Sequence, residues 1–168
     1  MVFTERCELH ILNDSDTYCI KKLYDNEHVR KYLGGTVSEE SFKHRFEEMQ
    51  HSPNKEHYWT IFNKSTQEFM GMVFLDTYHD GVQTEIGYQF LPEFWGKGFA
   101  REVVSEVMRY GFQTMGLDKV VAETQSQNQA SCRLLVSVGM RFEGTIERFG
   151  YEQSIFSILN NQKCEILS

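Results

Sequence analysis

The feature that most restricts the fold of this 168-residue chain is a glycine-containing turn between a strand-like run and an amphipathic helix. The turn, residues 95–100, reads Trp-Gly-Lys-Gly-Phe-Ala, and the alternating run from Thr84 to Phe90 precedes it. After the turn, apolar residues recur at three- and four-residue spacing, which predicts a helix with one buried face. These residues are Val103, Val104, Val107, Met108, Gly111, Phe112 and Met115. A strand, a tight turn and a helix in this order predict a fold that mixes helices with a sheet.

The same turn predicts an anion site. The first N–H groups of a helix lack intrahelical partners, and the helix dipole adds partial positive charge there, so phosphate or pyrophosphate is a natural occupant. Gly96 and Gly98 let the backbone approach an anion without an intervening Cβ, Lys97 adds a positive charge, and Ala100 keeps the first turn thin. The ordinary alternative is a strand-to-helix connection that binds nothing. The P-loop and dinucleotide-binding glycine patterns are both absent.

Composition narrows the class of protein. A hydrophobic content of 40% with only two prolines predicts one domain, residues 1–168, with one core. The sequence has no run of about 18 apolar residues and no apolar region near the N-terminus, so neither a membrane span nor a signal peptide is predicted. The net charge of -7 argues against a nucleic-acid partner. It is compatible with a cationic substrate or with simple solubility.

Cysteine and histidine positions argue against a metal centre. The four cysteines, Cys7, Cys19, Cys132 and Cys164, are scattered without a C-x-x-C pair, which favours reduced thiols in the cytoplasm over disulfides or zinc. The six histidines lack the H-E-x-x-H spacing of a zinc-binding helix. We therefore predict no metal site.

Periodicity and turn residues predict the element order β-α-α-β-β-β-α-β-α-β-β, a mixed sheet flanked by about four helices. The predicted strands are residues 8–12 (an edge strand), 58–63, 69–78, 82–90, 119–124, 140–149 and 154–159. Asp80-Gly81 is a strong hairpin signal between two of these strands. Asn128 is a typical N-cap for the last helix, and Gly139 is a typical residue at its end.

Two blocks of sequence form a family pattern. The first consists of Glu85-Ile86-Gly87-Tyr88, Pro92, the turn at 95–100, and Arg101-Glu102. The second consists of Asn128-Gln129-Ala130-Ser131, Leu134-Leu135, Gly139-Met140 and Gly144. The pattern resembles the GNAT acetyltransferase superfamily, and most closely its branch of ribosomal-protein N-terminal and spermidine acetyltransferases. Gly98 and Ala100 match the family's R/Q-x-x-G-x-G/A motif, with Trp95 at the leading position.

This resemblance, which covers nearly the whole chain, implies an α/β fold with a mostly antiparallel central sheet, splayed at an acetyl-CoA site. It implies acetyl-CoA as cosubstrate and a set of cofactor-binding residues. These are Gln89, Phe90, Leu91, Trp95, Gly96, Lys97, Gly98, Phe99, Ala100, Arg101, Asn128 and Ser131. Residues 89–91 would pair with the pantetheine arm, and the amides of 95–100 would hold the pyrophosphate. Simple helix-terminal roles remain open for Asn128 and Ser131.

Direct attack on a thioester needs a neutral amine, so a carboxylate base is expected. Deprotonation at pH 7 costs about 4–5 kcal/mol for an amine of pKa near 10.4, and about 1 kcal/mol for an α-amine. Glu85 is the expected base because it lies inside the apolar run leading to the turn; a solvent-facing strand position is the alternative. Glu147 and Glu152 are weaker candidates.

A second catalytic group would protonate the leaving thiolate. Many family members use a tyrosine on the helix after Asn128, and the matching position here is Leu135. We expect Ser131 to take this role as a second catalytic residue, with Tyr151 as a remote alternative.

Three functional hypotheses follow. The leading one is N-acetyl transfer to a primary amine, with a protein N-terminal amine favoured over a polyamine, an amino acid or an antibiotic. The second is a non-catalytic module that binds acyl-CoA as a sensor or scaffold. The third is a nucleotide-binding protein of another fold, which would prefer ATP or NAD. The acceptor pocket is expected around residues 25–50 and 145–156, and a homodimer is a possible assembly.

Overall fold

A single sheet with helices on both faces forms the body of the protein. A computed structural model describes residues 2–160; Met1 and residues 161–168, with Cys164 among them, lie outside the described residues. The strands are β1 (Val2–Phe3), β2 (Cys7–Ile11), β3 (Tyr58–Asn63), β4 (Phe69–Thr77), β5 (Thr84–Phe90), β6 (Lys119–Gln125), β7 (Arg141–Arg148) and β8 (Tyr151–Leu159). The α-helices are α1 (Thr17–Tyr24), α2 (Glu27–Arg30), α3 (Glu39–His51), α4 (Phe99–Gln113) and α5 (Gln129–Ser137). None of these helices is long and apolar enough to span a membrane.

The strands of this part of the chain run in the order β1-β2-β3-β4-β5-β6-β8-β7, and neighbours are antiparallel except for β5 and β6. That parallel pair is short. Only Thr84 with Val120 and Glu85 with Val121 are partners, after which β5 and β6 separate. The α/β fold class with a mostly antiparallel, splayed sheet is therefore confirmed.

Two short elements were not predicted. The strand predicted at residues 8–12 is present as β2, but it pairs with both β1 and β3, so its predicted place at the edge of the sheet is wrong. A two-residue strand is too short for alternation to reveal it. α2 is one turn, too short to show an apolar stripe, although the Asn26 side chain accepts from the N–H groups of His28 and Val29 as an N-cap. The described chain accordingly has five α-helices rather than about four.

The sheet separates two hydrophobic cores. On β4, Val73 and Leu75 belong to the core under α4, whereas Met72 and Phe74 belong to the core under α1 and α3. Successive side chains of a strand point to opposite faces, and both faces here are covered by helices. This is why β4 is a nearly continuous apolar run.

β5 alternates in the same way but carries polar groups on one face. Ile86, Tyr88 and Phe90 pack on the α4 side. Glu85, Gly87 and Gln89 face the side of α1 and α3. A Cβ on Gly87 would lie 2.1 Å from Cζ of Phe74, so only glycine leaves room for this ring. The polar face of β5 thus lies beside the point where β5 and β6 separate.

We predict that the pairing of β4 with β5 depends on Gly71, which lies opposite Phe90. A Cβ there would come within 2.0 Å of the backbone oxygen of Gln89, and a paired strand cannot move aside freely. Gly71→Ala is expected to lower the free energy of unfolding in urea by about 1–3 kcal/mol.

The matched control is Gly111→Ala in α4, where a Cβ would meet only side-chain atoms of Leu117 and Leu75, at 3.2 Å. There the gain in helix propensity offsets the close contact. Equal losses in the two variants would contradict this prediction.

Candidate active site

A cleft of about 850 Å³ opens where β5 and β6 separate. The predicted cofactor residues that line it are Gln89, Phe90, Trp95, Gly96, Gly98, Phe99, Ala100, Arg101, Asn128 and Ser131, and Glu85 lies in the same cleft. The side chains of Leu91 and Lys97 lie elsewhere. Leu91 is buried in the core under α1 and α3, and the Lys97 ammonium donates to the carbonyl oxygen of Glu93 at 2.8 Å.

The glycine turn forms the outer end of the cleft. Gly96 (φ 70°) and Gly98 (φ 82°) adopt the left-handed conformation that favours glycine, and α4 begins immediately after Gly98. The backbone N–H groups of residues 96–101 donate to no acceptor in the described part of the chain. The indole N–H of Trp95 donates to the Phe90 oxygen at 2.7 Å and holds the turn against β5. Free amides at a helix N-terminus fit a pyrophosphate.

Arg6, which lies between β1 and β2, contacts this turn and stabilises it. Its Nε donates to Glu102 Oε2 at 2.7 Å, and its Nη1 donates to the Lys97 carbonyl oxygen at 3.0 Å. The guanidinium also stacks 4.2 Å from the centre of the Phe99 ring. Although burial opposes it, hydrogen bonds from Thr4 and Arg6 hold the pKa of Glu102 below its ordinary value. Sequence reasoning missed Arg6, which lies about 90 residues from the turn it supports.

Three carboxylates lie on one face of neighbouring strands: Asp76 on β4, Glu85 on β5 and Glu123 on β6. Asp76 is the direct partner of Glu85 across the antiparallel pair. Its carboxylate accepts hydrogen bonds from Asn54 Nδ2 at 2.6 Å and from the Tyr58 hydroxyl. Asp76 is therefore already occupied by protein donors.

Glu123 is occupied as well. Its side chain is only 6% exposed, and Oε2 accepts from the Tyr78 hydroxyl at 2.7 Å and from Arg148 Nη1 at 3.0 Å. His79 Nε2 lies 3.1 Å from the same oxygen. A buried carboxylate with this many donors is held in one place by them.

Glu85 differs from both neighbours because it accepts no hydrogen bond from any described residue, while its side chain faces the cleft. Burial and, to a smaller extent, the charges of Glu123 and Asp76 raise the pKa of Glu85 to about 7, against the opposing charge of Arg148. A half-buried carboxyl group that titrates near neutral pH and has no internal partner suits a general base.

Two hydroxyl groups meet on the opposite wall of the cleft. The Tyr88 Oη and Ser131 Oγ atoms are 2.7 Å apart, and the Ser131 N–H donates to Asn128 Oδ1 at 3.2 Å. Burial raises the pKa of Tyr88 to about 12. Leu135 is 1% exposed in the core under α4, so its position contributes no polar group. Sequence reasoning identified Asn128 and Ser131 but missed Tyr88.

A second cavity of about 1160 Å³ lies beside α3. Its wall has three carboxylates, from Glu40, Glu48 and Asp76, and one guanidinium group, from Arg45, together with the imidazole rings of His44 and His51. It shares Tyr24, Phe74 and Gln89 with the cofactor cleft, so the two cavities meet there. The buried Gln89 Oε1 has no hydrogen-bond partner among the described residues.

The remaining candidates lie away from these cavities. Glu147 and Glu152 face each other across the β7–β8 hairpin and are exposed, as is Tyr151. No group of three metal-ligating side chains occurs within residues 2–160.

Sequence reasoning missed the carboxylate pair Asp76–Glu85, although the sequence contains a signal for it. The loop around Asp80-Gly81, which joins the paired residues Thr77 and Thr84, sets this register.

Comparisons with known proteins agree with this geometry. Residues 6–141 match the model of the acetyltransferase (GNAT) domain. The chain belongs to the GNAT acetyltransferase family. It is therefore related to enzymes that transfer an acetyl group from acetyl-CoA, and the expectation of a nucleotide-binding protein of another fold is wrong.

Individual relatives extend over nearly the full length. The uncharacterized N-acetyltransferase YoaA of Bacillus subtilis is 32% identical over 155 residues, covering 89% of this chain and 87% of YoaA. Spermidine N-acetyltransferase from Vibrio cholerae, solved with CoA and spermine, has a TM-score of 0.80 at 21% identity, covering 95% of this chain and 98% of its own. Ribosomal-protein-S5-alanine acetyltransferase from Vibrio fischeri has a TM-score of 0.79 at 19% identity, covering 96% and 97%. These two structures show the shared fold.

We predict that the brace formed by Arg6 supports CoA binding through the turn. Arg6→Ala should weaken CoA binding about tenfold. A hydrogen bond to a charged group contributes about 1.5–3 kcal/mol, and the effect on binding is at the lower end because the turn keeps part of its structure without Arg6. Calorimetric titration with CoA measures this change. Binding of acetyl-pantetheine, which has no pyrophosphate, should change less than twofold. The control is Arg109→Ala, which removes an exposed ion pair with Glu106 further along α4. Equal weakening of both ligands would contradict a role at the pyrophosphate.

Proposed function

We propose that this protein transfers the acetyl group of acetyl-CoA to a primary amine, with Glu85 as the general base. The observation that carries the proposal is the unpartnered Glu85 carboxylate at the point where β5 and β6 separate. The carboxylates on both sides of it, those of Asp76 and Glu123, each accept hydrogen bonds from protein donors. Residues 1–168 would form one domain that contains both the donor and the acceptor sites.

Acetyl-CoA supplies the activated acetyl group, and residues of this chain would hold it along the cleft. The free edge of β5 at Gln89 and Phe90 would pair with the pantetheine arm as an added strand does. The amides of residues 96–101 and the Arg101 side chain would bind the pyrophosphate. Asn128 already caps α5 through Oδ1, which leaves its Nδ2 group available to the pantetheine.

Glu85 would remove the proton that the amine loses as it attacks the thioester, directly or through one water. A carboxyl group with pKa near 7 is half ionised at neutral pH, so it both accepts the proton and returns it to solvent readily. The flanking charges of Asp76 and Glu123 would attract the cationic amine to the same place.

Within the amines, a protein N-terminal amine is the favoured acceptor. Proton transfer to a base of pKa near 7 costs about 1 kcal/mol from an α-ammonium group, and about 5 kcal/mol from a lysine- or polyamine-type ammonium group. Polyamines, amino acids and aminoglycoside antibiotics are the competing acceptors.

The test is release of CoA thiol across a panel of N-terminal peptides, polyamines, amino acids and aminoglycosides. We expect turnover with N-terminal peptides, and kcat that rises with pH through about 7 as Glu85 becomes a carboxylate. Glu85→Gln should lower kcat about 100- to 10,000-fold and remove this rise. Glu152→Gln, at an exposed site outside the cleft, is the matched control.

Two results would contradict the proposal. Unchanged kcat in Glu85→Gln would remove Glu85 as the base. CoA binding without turnover on any amine would instead favour the non-catalytic acyl-CoA module, for which the apolar Leu135 is the supporting observation.

A further inference from the structure

Two arginine side chains near the cavity beside α3 have no carboxylate partner among residues 2–160. Arg45, on α3, lines this cavity, and its guanidinium group makes no ion pair or hydrogen bond with a described residue. Arg30, on α2, is only 3% exposed and donates to the carbonyl oxygens of Leu33 at 2.6 Å and Gly35 at 3.0 Å. Carbonyl groups satisfy its N–H groups but carry no net charge. Neither positive charge is therefore paired with an anion of the described chain.

Tyr24 connects these two charges. The Arg30 guanidinium carbon lies 4.7 Å from the centre of the Tyr24 ring, and Tyr24 lines both the cavity beside α3 and the cofactor cleft. Burial raises the pKa of Tyr24, although the charges of Arg30 and Arg45 and a hydrogen bond with Gln89 oppose this increase. Both guanidinium charges therefore act on one phenol group, at the place where the two cavities meet.

The acidic side chains of the same cavity do not pair with Arg45. Glu48 is one helical turn away, but its carboxylate lies 3.5 Å from His44 Nδ1 and its side chain is 67% exposed. Its charge has only a small effect on Tyr24. Asp76 already accepts hydrogen bonds from protein donors, and Glu40 lies in the first turn of α3. The positive charge of Arg45 is thus available to a ligand.

Charge is consequently separated along one face of β5. Glu85 lies beside the carboxylates of Asp76 and Glu123, whereas Gln89 lies beside Tyr24 and hence near the two arginines. Residues four positions apart on a strand point to the same face, and the rise of a strand separates them by about 13 Å. A ligand with an ammonium group at one end and a carboxylate at the other matches this separation of charge.

We propose that the acceptor carries a carboxylate roughly 10–13 Å from its reacting amine, and that Arg45 binds this carboxylate. This inference rests on the proposed function, in which the amine reacts beside Glu85. A guanidinium group can donate two parallel N–H bonds to one carboxylate. The buried charge of Arg30 behind Tyr24 favours an anion at the same place, because it is poorly screened by solvent.

The spacing selects among the competing acceptors. The amine and carboxylate of a free α-amino acid are only about 2.5 Å apart, and polyamines and aminoglycosides carry no carboxylate. An extended peptide advances about 3.5 Å per residue, so an acidic side chain at its third position reaches the required distance. The free carboxyl terminus of a tripeptide lies at a similar distance and is the other source of the same group. The geometry thus favours a peptide N-terminus followed closely by a carboxylate.

The test is calorimetric titration of short peptides into the protein saturated with CoA, which requires no turnover. The peptides have amidated carboxyl termini and differ only in glutamate or glutamine at the second, third or fourth position. A neutral tripeptide is compared with and without an amidated terminus as a separate arm. We expect a glutamate peptide to bind about 3- to 10-fold more tightly than its glutamine counterpart, with the largest ratio at the third position. Arg45→Gln should remove this preference.

Lys43→Gln is the matched control, because it removes one positive charge from an exposed position of α3 that does not line the cavity. It should keep the wild-type preference. Arg45→Glu should reverse the preference, so that the glutamine peptide binds more tightly. Arg45 is itself exposed, so both of its substitutions leave the buried core unchanged.

Equal binding of every glutamate and glutamine pair, and of both tripeptides, would overturn the inference, as would a preference that survives Arg45→Gln. A preference confined to the tripeptide with a free terminus, and lost in Arg45→Gln, would support the carboxylate site and assign it to short free peptides. Preferential binding that depends on Arg45, without release of CoA thiol from acetyl-CoA, would contradict only the proposed function. Turnover of glutamate and glutamine peptides with equal kcat/KM would contradict only the carboxylate site.

Discussion

The rest of this structure depends on the early end of the parallel pairing between β5 and β6. β5 pairs with β4 along its whole length, but with β6 only at Thr84 and Glu85. From that point the other edge of β5 faces a gap. The backbone N–H and C=O groups along this edge need hydrogen-bond partners, which either solvent or a ligand can supply. An extended pantetheine arm has the shape and the amide groups to serve as that partner.

The charges around the gap follow from this geometry. Three carboxylates converge on one face of the sheet, where uncompensated negative charge would be unfavourable. Asp76 and Glu123 are stabilised by their own donors, including Arg148. Glu85 has no such partner, and burial together with the charge of Glu123 raises its pKa to about 7. The arrangement leaves one carboxyl group that titrates near neutral pH, in the cleft where β5 and β6 separate.

Local patterns in the sequence sufficed for much of the site. The glycine turn, α4 and the Asn128 cap are each specified by residues a few positions apart, and the structure has all three. The β4–β5 hairpin was also predictable, and its loop fixes the register that pairs Asp76 with Glu85.

What the sequence could not predict were contacts between distant segments. Arg6 reaches the turn from the other end of the chain, and Glu123 gains its donors only when Tyr78 and Arg148 come together in space. The Tyr88–Ser131 contact depends on how far β5 and β6 diverge, which no local pattern encodes. Motif matching also fixes position but not side-chain direction, as Lys97 illustrates by turning to the Glu93 carbonyl.

A crystal structure of the protein with CoA would test most directly whether the gap between β5 and β6 is the site of acetyl transfer. We expect the pantetheine arm along Gln89 and Phe90, the pyrophosphate on the amides of residues 96–101, and the sulfur within about 3.5 Å of the Ser131 hydroxyl. CoA bound outside this gap, or bound with its sulfur remote from both Glu85 and Ser131, would contradict it.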